Sequence, residues 1–132
     1  MILWFEKHSK ISLLIVVFIG IVIFYISSLT FEQVPRAFRI NWETIAYHFW
    51  AYFFLSLFLN ISLTRGKNIA LLLPGIMGAI AYGLSDEIHQ LFVHGRACTF
   101  SDWMLDTGGV LLGALVYLVW VNWKSGREKA GV

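Results

Sequence analysis

The chain has 132 residues and a formal net charge of +2, too small and too scattered to suit a nucleic-acid partner. Its charged fraction is 14%, where soluble domains carry about 25%, and its mean hydropathy of +0.72 excludes an ordinary soluble domain. The single cysteine, Cys98, excludes an internal disulfide.

Four apolar segments have the length needed to cross a hydrocarbon core, about 20 residues. The first, 11–29, carries no charge, although Lys7 and Lys10 precede it. It is longer than the apolar core of a signal peptide, and no small-residue cleavage site follows, so it reads as retained. A connection over 30–44 with Pro35, Arg36 and Arg39 reads as an interfacial loop or short surface helix. The second segment, 45–63, contains His48. A tight turn with Arg65 and Lys67 leads to the third, 69–93, apolar until Ser85. A loop with Gly95 and Arg96 leads to the fourth, 102–121, acidic only in its first turn; the polar tail from Asn122 is expected to fray.

These segments predict an all-α membrane protein, one domain over 1–132 made of four transmembrane helices with short loops. Lysine and arginine set the orientation. With both termini inside, seven lie on the inner side and Arg36, Arg39 and Arg96 on the outer. Trp4, Trp120 and Trp123 then fall near the inner interface, and Trp42, Trp50 and Trp103 near the outer. Ser27, Ser28, His48, the stretch 86–90 and the stretch 102–106 all fall in the outer half, which leaves the inner half almost purely apolar. Polar residues confined to one half give no path across the bilayer, so a transporter is disfavoured.

Residues three and four apart share a helix face. Asp86, His89 and Gln90 form one stripe, which continues back through Tyr82, Gly78 and Gly75. Asp102, Asp106, Gly109 and Gly113 form another, and a G-x-x-x-G pair lets a second helix approach closely. His48, Tyr52, Ser56 and Asn60 recur every four residues. Ordinary interhelical hydrogen bonding accounts for the last three, while His48 suits packing and function equally. Asp86, Glu87, Asp102 and Asp106, offset by Arg96, sum to −3. Such a group resolves its charge by protonation, by a bound cation, or by reaching the headgroup layer. Arg96 has the fork to hold one of the carboxylates.

His48, Asp86, Glu87, His89 and Asp106 are mixed nitrogen and oxygen donors. No zinc spacing is present, neither H-E-x-x-H nor paired Cys, so the sequence assigns no metal and no cofactor. Ser27, Ser28, Ser85 and Ser101 offer hydroxyls without any sign of a nucleophile, and Ser101 suits a helix N-cap.

The run Asp86-Glu87-x-x-Gln90, then Gly95-Arg96, then Asp102 with Asp106 and Gly109, resembles the VanZ-like family of small bacterial membrane proteins. His94 stands where that family often has proline before Gly-Arg. The resemblance covers about 11–118, with softer matches at Ser27, Ser28, His48, Phe49 and Tyr52. It implies a role in the bacterial cytoplasmic membrane at its outer leaflet, and the family is named for a protein conferring low-level teicoplanin resistance. Two functions stay open. One is a binding cavity for a lipoglycopeptide or lipid-linked cell-wall molecule, lined by Ser28, His48, Asp86, Glu87, Gln90, Arg96, Asp102 and Asp106. The other is an intramembrane hydrolase or transferase using Glu87, His48, Asp86 and Arg96. A homo-oligomer would help four helices bury so many polar groups.

Overall fold

The computed structural model describes residues 1–30, 42–96 and 100–130, with only the backbone described for 42–44. Every regular element among them is helical. A short α1, Ile2–Lys7, breaks at His8 and leads into α2, Ser9–Ser27. His8 holds the break: its Nδ1 meets Trp4 O at 2.8 Å, and its ring stacks on Trp4 at 4.3 Å. Helix α3 spans Trp42–Thr64, α4 Leu72–Gln90 and α5 Phe100–Lys129. A 3-10 turn at Ile69–Leu71 opens α4, where Pro74 sits in the first turn and breaks no hydrogen bond of the helix interior.

The four long helices are each long and apolar enough to cross a membrane. Two bounds differ from expectation. The third span ends at Gln90 rather than 93, and α5 runs to Lys129 rather than stopping at 121. The expected frayed tail is thus helix. Its last turn carries Arg127 and Lys129, which suit the negative end of the helix dipole. At about 1.5 Å per residue the 30 residues of α5 outreach a hydrocarbon core of about 30 Å, so its C-terminal turns project beyond the apolar layer. Since α5 begins at Phe100, Ser101 lies inside the first turn and is not the N-cap. Pro35, Arg36, Arg39 and Cys98, and the side chain of Trp42, lie outside the described residues.

Helix α3 is the centre and touches each of the others. Its closest neighbour is α5, and the reason is the G-x-x-x-G pair. Gly109 stands against the Phe49 carbonyl and Gly113 against that of Phe53, both too close to admit a Cβ. Ile23, Tyr52, Leu55, Ala79 and Val110 form the interior where α2 to α5 meet. Outward, α2 exposes Leu14, Phe18, Ile21 and Phe24, the apolar surface that a lipid environment accepts. On α4 the buried face is Gly75, Ala79, Gly83, Asp86, Glu87 and Gln90. Gly78 is open, so the stripe read through Gly78 is rotated toward Ala79 and Gly83. Tyr82, at the edge of that face, donates to Gly20 O of α2 at 2.7 Å.

Candidate functional site

Antiparallel order brings the end of α2, the start of α3, the end of α4 and the start of α5 to one end of the bundle. There Ser27, His48, Asp86, Glu87, Gln90 and Asp106 are all buried, Glu87 completely. Four helices of one chain suffice to bury them; a second copy is not required for that purpose.

Three helices contribute acids or imidazole to the centre of this cluster. His48 Nδ1 lies 3.0 Å from Asp106 Oδ1, a charge-assisted contact when the acid is ionised. One donor atom each from His48, Glu87 and Asp106 falls within 4.8 Å of the others. Beside them Ser27 Oγ donates to Asp86 Oδ2 at 2.8 Å, while Gln90 Nε2 donates to Asp86 Oδ2 and Glu87 Oε1, each at 3.3 Å. Asp86 Oδ1 and Asp106 Oδ2 have no hydrogen-bond partner among the described residues. A buried carboxylate oxygen left so costs about 1–3 kcal/mol or more.

The remaining site candidates lie around this core. Asp102, in the first turn of α5, is half-buried. Ser28 faces away from Asp86: its hydroxyl donates to Phe24 O at 2.7 Å and meets His89 Nε2 at 3.0 Å. His89 stacks on Phe24 at 4.6 Å, so it leaves the stripe it was expected to share with Asp86 and Gln90. Ser27, one position earlier, is the serine that enters the cluster. A one-residue step turns a helix by about 100°, and sequence spacing alone could not choose between two adjacent serines.

Arg96 corrects the reading that it forks onto a carboxylate. The bonds described for it run from Nε to Leu29 O at 3.1 Å and from Nη2 to Ile26 O at 2.9 Å. These carbonyls belong to the end of α2 and the residues just past it, and a cation there satisfies acceptors that the helix cannot. Arg96 therefore ties the loop after α4 to the end of α2, alongside the cluster.

At the opposite end of the bundle a second polar group lies mostly beyond the expected spans. Glu6 is buried and accepts from Lys124 Nζ and from the Tyr117 hydroxyl, each at 3.1 Å. Gly66 N donates to the same hydroxyl at 3.0 Å, and Thr64 Oγ1 lies against it. The α3 stripe also runs on, through buried His48, Tyr52, Ser56, Asn60 and Thr64. It does not make a relay. Ser56 donates to Val110 O, Thr64 to Asn60 O, and the Tyr52 hydroxyl has no partner among the described residues. Interhelical bonding was the expectation for Tyr52, Ser56 and Asn60; Ser56 bonds across to α5 as expected, whereas the bonds described for Asn60 stay within α3, to Ser56. Asn60 fits because Gly75 leaves room for its Oδ1. Glu6 had only one sign in the sequence, a lone acid between aromatic residues and lysine. Nothing local reveals that Tyr117 and Lys124 reach it.

This fold and this cluster define a helical membrane protein that gathers carboxylates and an imidazole inside one end of its bundle. The chain belongs to the VanZ/LLP1 family, whose model matches residues 11–121. That span holds the whole cluster but not Glu6 or Lys124. Comparisons with curated proteins and with solved structures return no match.

Proposed function

We propose that this protein serves the bacterial cell envelope by binding the headgroup of a lipid-linked cell-wall molecule or lipoglycopeptide at its buried carboxylate cluster. The observation that carries this reading is the pair of unpartnered oxygens, Asp86 Oδ1 and Asp106 Oδ2, held inside the bundle. A groove lies beside the cluster and suits the lipid part. It is apolar, has a volume of about 510 Å³, and runs between α2, α3 and α4 past Val16, Gly20, Leu59, Gly78 and Tyr82 to Phe24. Phe24 lies one turn before Ser27 and stacks on His89 of α4, so an alkyl chain in the groove delivers its head toward Ser27 and Asp86.

In the same reading both termini face the cytoplasm of a bacterial inner membrane, and the cluster opens to the outer leaflet. Seven lysines and arginines at the Glu6 end support that orientation. Reporter fusions at the C-terminus check it: a cytoplasmic fluorescent reporter should light and a periplasmic phosphatase should not.

The function is tested by expression in a susceptible bacterium. The wild type should raise tolerance to teicoplanin severalfold, and Asp86→Asn or Asp106→Asn should abolish the gain at equal membrane abundance. Unchanged tolerance with all three proteins rejects the reading.

A second reading, an intramembrane hydrolase or transferase, is favoured by one observation. The His48–Asp106 pair stands with Glu87 in the geometry of an acid–base site. Turnover of a lipid-linked precursor by purified protein, lost in Glu87→Asp, would establish it; a binding cavity should tolerate that charge-preserving change.

A further inference from the structure

The cluster gathers a set of metal-type donors inside the bundle. His48 of α3, Glu87 of α4 and Asp106 of α5 each offer one ligand atom, and the three atoms lie within 4.8 Å of one another. Tetrahedral ligands at about 2.0–2.2 Å from a metal stand about 3.4 Å apart, so side-chain rotation on the order of 1 Å would close this set on an ion. All three residues are buried, and Asp106, 1% exposed, keeps Oδ2 without a partner among the described residues. Asp86, 3% exposed, does the same with Oδ1 beside them.

The described bonds of Arg96 go to the carbonyls of Ile26 and Leu29. An ion at the centre would supply positive charge where the carboxylate oxygens lack donors. The donor types narrow its identity. Magnesium and calcium favour oxygen alone, whereas one imidazole with two carboxylates suits a first-row transition ion. The outer contacts suit it too. Gln90 Nε2 holds Glu87 Oε1 at 3.3 Å, which fixes how the carboxylate is presented. A neutral His48 protonated on Nε2 turns its Nδ1 lone pair toward the side where Asp106 Oδ1 lies 3.0 Å away, so an ion there would take both atoms in place of their mutual contact.

We propose that His48, Glu87 and Asp106 bind one divalent transition-metal ion, with zinc the best match to three nitrogen and oxygen ligands. A fourth position would stay open for water or for an anionic oxygen of a headgroup. The inference shares the cluster with the function proposed above but not its ligand. It is read without any lipid or antibiotic, so either can fail alone.

The test uses the full chain, purified in detergent without a histidine tag, stripped with chelator and titrated with zinc by calorimetry and with cobalt by absorption. The wild type should take up about one ion per chain and give the visible bands of a low-symmetry cobalt site. His48→Ala, Glu87→Gln and Asp106→Asn should each abolish both signals. Gln90→Leu should weaken zinc binding roughly 10–100-fold by releasing Glu87. Glu128→Gln, on the exposed last turns of α5, should bind like the wild type. Zinc should also raise the melting temperature of the wild type. No stoichiometric uptake by the wild type overturns the proposal, and so does uptake that survives the ligand changes. If a ligand variant does not fold, Gln90→Leu decides: an unchanged affinity there rejects the placement.

Discussion

The Tyr117 hydroxyl donates to Glu6 Oε1 at 3.1 Å, a bond between residues 111 positions apart that fastens the first helix to the last. The same carboxylate takes Lys124 Nζ through Oε2 at 3.1 Å, so one buried acid joins α1 to two points about two turns apart on α5. Gly66 closes the arrangement from the turn after α3. Its φ of +64° is open to glycine, and a Cβ there would lie 2.7–2.9 Å from the Glu6 carboxyl atoms.

This latch predicts a coupling that can be measured. A double-mutant cycle of Glu6→Gln with Lys124→Met should show an interaction energy of about 0.5–3 kcal/mol in unfolding of the detergent-solubilised protein. Gly66→Ala should cost about 1–3 kcal/mol, since it strains the backbone and displaces the acid. Additive single effects would show that the contact is not a shared one.

The α3–α5 seam makes a sharper prediction. Gly109→Ala and Gly113→Ala drive a methyl into the carbonyls of Phe49 and Phe53, and each should cost about 1–3 kcal/mol or separate the helices. Gly78→Ala meets nothing within 4 Å and should gain about 0.5–1 kcal/mol from helix propensity. Thermal unfolding of the three variants in one detergent checks the contrast; equal effects would mean that the seam is not where these helices touch.

Two adjacent serines should behave differently. Ser27→Ala strips Asp86 of a buried donor and should cost about 1–3 kcal/mol. Ser28→Ala loses a local bond to Phe24 O and a contact with His89 at a half-exposed position, and should cost less than about 0.5 kcal/mol. Denaturation curves for the pair decide, and a larger loss at Ser28 would contradict the assignment.

Arg96 should act on the end of α2. Arg96→Ala should speed amide exchange around 26–29 at least severalfold, with far less effect at the start of that helix, because two carbonyls lose their donor. Arg96→Lys should recover part of the protection, as an ammonium can serve one acceptor but lacks the guanidinium fork. Uniform exchange along α2 in both variants would argue against this role.

How much was legible in the sequence depends on the range of the interaction. The four spans are legible because hydrocarbon thickness fixes a length, and a run of apolar residues either meets it or does not. The α4 and α5 stripes are legible in outline because residues three and four apart share a face whatever surrounds them. Asp106, Gly109 and Gly113 are buried together on α5 as that rule predicts. The same rule placed His89 with Asp86 and missed, since α2 drew His89 onto Phe24 and Ser28 instead.

By itself, then, the sequence determined an all-helical membrane protein, its family signature, and the end of the bundle at which Asp86, Glu87 and Asp106 would gather. Only the tertiary structure decided which atoms meet. It chose Ser27 over Ser28, gave Arg96 to the carbonyls of α2, set His48 beside Asp106, and put Glu6 under Tyr117. Each of those choices is a contact between residues far apart in the chain. It depends on the rotation and height of one helix against another, quantities fixed by where glycines let backbones close, and no local periodicity carries them.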